Sequence, residues 1–166
     1  EYGALLVALE HRFYGESIPN GNSLTENLQK HLTVEQALGD LAMFTAKFSQ
    51  EKQLKGKWFV FGGSYPGALS SWYRNAYPDA SVGSLSSSGV VNPIVDFFQF
   101  DQQVSAALGN ECGNRLKRVS RAFEKQISTT DGWLLSKKQF ACEDDISEVD
   151  FLYMIADSWS MMDQYG

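Results

Sequence analysis

Apolar and polar positions alternate between two periods along this chain. Tyr2 to Leu9 (YGALLVAL) is an almost unbroken apolar run, the pattern of a strand covered on both faces in a parallel sheet. It has no lead-in, so the sequence is expected to begin inside a domain. Ser17 to Asn27 carries Pro19, the Asn20-Gly21 pair and several small polar residues and reads as loop. A helical period then sets in. Val34, Ala37, Leu38, Leu41, Ala42 and Phe48 recur at helical spacing, and Thr33 with Gln36 three positions on has the form of a capping box. The spacing predicts a helix to about Glu51, with Leu54 to Lys57 as the connection. Trp58 to Phe61 (WFVF) reads as a second strand, Pro66 to Tyr77 as a helix stopped by Pro78-Asp79, and Val82 to Ser88 as a third strand of small residues.

Strand, helix, strand, helix, strand, joined by short connections, is the order of parallel βαβ units in an open α/β sheet. Beyond Asn92-Pro93 the pattern changes. Asp96 to Leu108, Cys112 to Ile127, Ser136 to Phe140 and Ser147 to Gln164 all lean helical, and no strand stands out among them. The pattern predicts an α/β part over residues 1–92 and a helical part over 93–166.

Composition narrows the function. The 166 residues are 43% hydrophobic and 13% aromatic, enough for a sizeable core. A net charge of −6, with 14 Lys and Arg in no run longer than a pair, argues against a nucleic-acid partner. No apolar segment approaches the roughly 18 residues that cross a bilayer, so no membrane partner is expected. Cys112 and Cys142 are too few for a disulfide framework or a tetrahedral metal site. They pair with each other or with partners outside this sequence. No metal or organic cofactor is implied. Glu143, Asp144 and Asp145 read as a solvated loop or helix start, and Asn110-Glu111-Cys112 matches only the rare cysteine form of a glycosylation sequon.

The segment that carries chemistry is FVFGGSYPGALSSW, Phe59 to Trp72. A strand turning sharply into a helix through Gly-x-Ser is a nucleophile elbow. Gly62, two positions before Ser64, lets the turn close without a Cβ clash, and the Tyr65 N–H points at a developing oxyanion. Pro66 departs from the usual Gly-x-Ser-x-Gly, with the glycine one position later at Gly67. Proline suits the first helical turn, where its missing N–H has no partner anyway. The competing reading is a plain strand-to-helix turn that contains a serine. A serine hydroxyl also needs a general base held by a carboxylate, and the only histidines are His11 and His31. His31 reads as a solvated helix entry. His11, at the carboxyl edge of the first strand, reads as a hydrogen-bonded structural residue rather than the base.

GGSYPGALSSWYR, with EHRFYGESIP at Glu10 to Pro19 and LTVEQALGDLAMF at Leu32 to Phe44, resembles the serine peptidase family of lysosomal prolyl carboxypeptidase, dipeptidyl peptidase II and thymus-specific serine protease. DFLYMIADSWSMMDQYG at Asp150 to Gly166 and the Gly-Ala-Leu-Ser after Pro66 look more like the thymus-specific branch. The resemblance implies an α/β-hydrolase core with a helical insertion, Ser64 as nucleophile and the Tyr65 N–H as oxyanion donor. It places the second donor upstream, and the triad aspartate and histidine after the insertion, outside these residues. The sequence is therefore expected to be an internal piece with little turnover alone. The implied parent is an exopeptidase acting on short peptides, in several members next to proline, in lysosomes or outside the cell, and a homodimer. Disulfides staple the family's insertion.

Ala68 stands where prolyl carboxypeptidase carries a larger apolar side chain, which puts proline preference in doubt. Trp58, Phe59, Phe61, Trp72 and Tyr73 read as core, and Trp133, Trp159, Met161 and Met162 as core or substrate lining. The alternatives are a non-catalytic, shortened or degenerate family member that at most binds peptides, and a lipase or esterase of the same fold, which the peptidase motifs count against.

Overall fold

The computed structural model describes residues 3–165. They form two compact units, one ending at Pro93 and the other beginning at Ile94.

In the first unit a 3-10 turn (Pro19–Gly21) precedes α1 (Thr25–His31), α2 (Val34–Glu51), β1 (Phe59–Gly63), α3 (Tyr65–Ala76) and β2 (Gly83–Ser87). The two strands pair in parallel, from Phe59 opposite Gly83 to Gly63 opposite Ser87. The crossover that parallel pairing demands is α3. Thr33 caps α2 by accepting the Gln36 N–H at 3.3 Å. The Gln36 side chain does not return to close a capping box; it donates to the Lys30 carbonyl at 3.1 Å and accepts from Arg12.

The core of this unit joins Leu38 of α2 to Leu69 and Tyr73 of α3, with Val34, Leu41 and Val60 packed around them. Tyr73 is fully buried, and its hydroxyl lies 3.0 Å from Thr45 Oγ1, so the buried phenol keeps a partner.

Two sequence expectations need correction here. The expected first strand is not one: Gly3 to Leu9 carries no strand pairing, and Tyr2 lies outside the described residues. Leu6 to Leu9 instead face β1 across an apolar cavity of about 770 Å³, which Phe59 and Phe61 also line. An apolar run records that side chains need cover; it does not specify which backbone supplies the ladder. For the same reason Phe59 and Phe61, expected in the core, are 55% and 61% exposed. Side chains alternate across a strand, and in β1 it is Val60 and Gly62 that are half-buried.

The second correction is α1, which begins inside the segment read as loop. Its seven residues are too few for an apolar period to show. Glu26 in its first turn and Lys30 and His31 in its last complement the helix dipole.

The second unit is helical: α4 (Phe98–Ala107), α5 (Gly109–Ile127), α6 (Thr130–Gln139) and α7 (Glu148–Tyr165). Helix α6 starts six residues ahead of its expected position, at the N-cap of Thr129, which accepts the Gly132 N–H at 3.2 Å. Ile127, Phe151 and Ile155 form the core. The Trp133 ring meets Phe151 edge-on at 5.3 Å. Trp159 also packs on this core, whereas Met161 and Met162 are 52% and 64% exposed. Cys112 and Cys142 are both free thiols, so they do not pair with each other. No helix among the described residues is long and apolar enough to cross a membrane.

Candidate active site

The β1–α3 junction is built from small residues. A Cβ added at Gly62 would lie 2.4 Å from the carbonyl carbon and oxygen of Pro66, and one at Gly67 would lie 2.7 Å from the Ser87 carbonyl oxygen and 3.0 Å from that of Gly62. Both positions therefore let backbone approach backbone closely. Gly63 is different, because a Cβ there would meet only the Ser87 oxygen, at 4.0 Å.

Between them Ser64 adopts φ 57° and ψ −125°, a sparsely populated conformation for a residue with a side chain, at a cost of about 1–3 kcal/mol. Its N–H donates to Ser87 O at 2.9 Å and its carbonyl accepts the Ala68 N–H at 3.0 Å, so both of its backbone groups are fixed by neighbours. The side chain is exposed and does not cap α3. The Tyr65 N–H has no acceptor among the described residues, and Pro66 has no N–H to offer. The result is an exposed hydroxyl beside an uncommitted amide at a helix N-terminus, the arrangement that favours negative charge. Ala68 is 1% exposed and lies one turn deeper in α3.

The motif around Glu10 lies beside this junction and is held by three anchors. The Arg12 guanidinium grips Asp40 with two bonds, Nε to Oδ2 and Nη2 to Oδ1, both 2.7 Å. It also donates to the His31 carbonyl at 2.7 Å and to Gln36. Gln36 and Asp40 are four apart on α2 and so share a face. Glu10 Oε2 accepts from the Ser17 hydroxyl at 2.7 Å and from the Ser17 and Glu16 amides at 3.0 and 3.1 Å. The Ser17 hydroxyl bond, with the two amides, holds the Glu10 carboxyl below its usual value against a smaller opposing effect of burial.

His11 is the third anchor. Its Nδ1 lies 2.8 Å from Arg12 O and its Nε2 lies 3.0 Å from the Tyr65 hydroxyl. Neither ring nitrogen bonds Ser64. His31 contributes its carbonyl to Arg12 and sits at the C-terminus of α1. Among the described residues no cluster of His, Cys, Asp or Glu could hold a metal ion.

Sequence reasoning singled out Ser64 and Tyr65 and missed the Arg12–Asp40–Gln36 clamp. The signal for it was weak: Gln36 and Asp40 stand four apart on one face of α2, beside Ala37, Leu38 and Leu41, but nothing in the local pattern ties them to Arg12. Of the aromatic residues, Trp58 bonds Ser49 Oγ at 2.8 Å and Trp72 donates to the Val91 carbonyl at 3.1 Å.

Comparison with known proteins adds the following. The family model described as serine carboxypeptidase S28 matches residues 1–163. The chain is 39% identical to Probable serine protease EDA2 of Arabidopsis thaliana over 100% of its own length and 35% of that relative. It is 37% identical to Lysosomal Pro-X carboxypeptidase of Mus musculus over 75% of this chain and 24% of the relative. It is also 37% identical to Thymus-specific serine protease of Homo sapiens, over 64% of this chain and 21% of the relative. The chain thus spans about a third or less of the length of these relatives.

Proposed function

Since the chain belongs to the serine carboxypeptidase S28 family, we propose that it carries the nucleophile of a serine exopeptidase, Ser64, with the Tyr65 N–H as one oxyanion donor. The observation that carries this reading is the backbone of Ser64. A strained, exposed serine at the end of a parallel strand, with close-approach glycines before and after it and an uncommitted amide following, is what an elbow requires. The finer fold reading is an α/β-hydrolase core. The parallel β1–α3–β2 unit supports it.

The chemistry follows. Ser64 Oγ attacks the carbonyl carbon of a peptide bond, and the charge that collects on the carbonyl oxygen is met by the Tyr65 N–H, a preorganised dipole. A general base takes the hydroxyl proton and passes it to the departing amine. Water then releases the acyl group by the same steps in reverse roles. His11 is not that base, since both its ring nitrogens are engaged elsewhere. The triad histidine and aspartate and the second oxyanion donor are supplied by polypeptide outside this sequence. Short peptides are the substrate class. The names of two relatives, a lysosomal carboxypeptidase and Probable extracellular serine carboxypeptidase of Arthroderma benhamiae, support a lysosomal or secreted parent.

The test is hydrolysis of a panel of short peptides, with and without proline beside the scissile bond, by the full-length protein that carries this sequence. Ser64→Ala is expected to lower kcat by a factor on the order of 10⁴ or more. Hydrolysis undiminished by that change would refute the reading.

A further inference from the structure

The Tyr65 side chain is held by a residue 54 positions away in sequence, and the hold has a defined direction. Arg12 O can only accept, so His11 Nδ1, 2.8 Å from it, carries the proton. In the neutral ring Nε2 is then an acceptor, and the Tyr65 O–H donates to it across 3.0 Å. If the ring gains a second proton, Nε2–H donates to the phenol oxygen instead, because a hydroxyl serves in either role. The contact survives both protonation states.

The imidazole itself cannot drift. The next residue, Arg12, is clamped by Asp40, the His31 carbonyl and Gln36, with only 13% of its side chain exposed. Tyr14 and Tyr65 meet the His11 ring edge-on, each at 5.5 Å between centroids. Partial burial, with a smaller contribution from Tyr14, raises the Tyr65 hydroxyl above its usual value and keeps it protonated.

What needs holding is the first turn of α3. Ser64 gives it no side-chain cap; the Ser64–Tyr65 peptide is held on one side by the Ser64 carbonyl accepting the Ala68 N–H, and the Tyr65 side chain is its second tether. The Tyr65 N–H belongs to that turn.

We propose that His11 is a positioning residue of the peptidase site: by holding the Tyr65 hydroxyl it fixes Tyr65 in the first turn of α3 and so aims its N–H at the oxyanion. This rests on Ser64 being the nucleophile.

The experiment compares four variants of the full-length protein in steady-state peptide hydrolysis, with thermal midpoints measured alongside. Tyr65→Phe removes only the hydroxyl. His11→Asn puts an amide where Nδ1 was and loses the reach to Tyr65, whereas His11→Gln puts one where Nε2 was. Tyr65→Phe and His11→Asn are each expected to lower kcat about tenfold, a fraction of what deleting an oxyanion donor costs, with KM within about twofold. His11→Gln is expected to recover most of that loss at an unchanged midpoint. Ser64→Ala is the fourth variant and abolishes turnover.

Two outcomes overturn the proposal and leave Ser64 in place: kcat unaltered in Tyr65→Phe and His11→Asn, or equal losses in His11→Asn and His11→Gln that follow a fall in midpoint. Turnover undiminished in Ser64→Ala overturns the functional reading, and this proposal with it.

Discussion

Ser64 keeps its unfavourable backbone because its neighbours leave it no alternative. Its N–H and carbonyl are each bonded, and Gly62 and Gly67 give up their side chains so that strand, turn and helix can close on one another. The two glycines before the serine should therefore respond differently to a methyl group. Gly62→Ala drives a Cβ into Pro66 backbone at 2.4 Å and is expected to destabilise the full-length protein by about 3 kcal/mol, as overpacking does at its upper range. Peptidase activity should be lost with it. Gly63→Ala meets nothing nearer than 4.0 Å and should stay within about 1 kcal/mol of the parent. Denaturant midpoints of the two variants make the comparison, and equal losses would contradict it. The role of Gly62 was legible in the sequence, because strand, glycine and serine are local signals. The His11–Tyr65 bond was not, since nothing in sequence spacing ties a histidine to a phenol 54 residues on.

At the scale of elements, the segment from Glu10 to Ser17 is a loop made rigid by its own carboxylate, and its stability should carry a pH signature. The Glu10 carboxyl is lowered from 4.5 by its Ser17 and Glu16 donors. A depressed carboxyl adds stability that is fully present above the unfolded value and is lost as pH falls through the folded value. The gap in thermal midpoint between the parent and Glu10→Gln is thus expected to be equal at about pH 7 and about pH 6, and to shrink only below about 4.5. A gap that grew on acidification would contradict the assignment. The loop would keep its anchor in a mildly acidic vesicle.

Elements with a long, regular period were readable in advance. Helices α2 and α3 lie within a residue of where their spacing put them. The run at Gly3 to Leu9 was misread because apolarity reports cover rather than pairing, and α1 escaped because about two turns of helix, polar or charged at every position but Leu28, look like a polar loop.

For the whole molecule, the match over residues 1–163 places the chain in the serine carboxypeptidase S28 family, the order β1–α3–β2 and the helical unit after Pro93 are its architecture, and the elbow supplies a residue on which to test the proposed chemistry. The free Cys112 and Cys142 could not be decided from sequence, because two thiols far apart in the chain give no geometry. The most direct measurement is to treat the full-length protein with a fluorophosphonate, digest it and map the adduct by mass. A single covalent phosphonate on the peptide containing Ser64, absent after Ser64→Ala, is the expected result. An adduct on another serine, or labelling that persists in Ser64→Ala, would contradict the account.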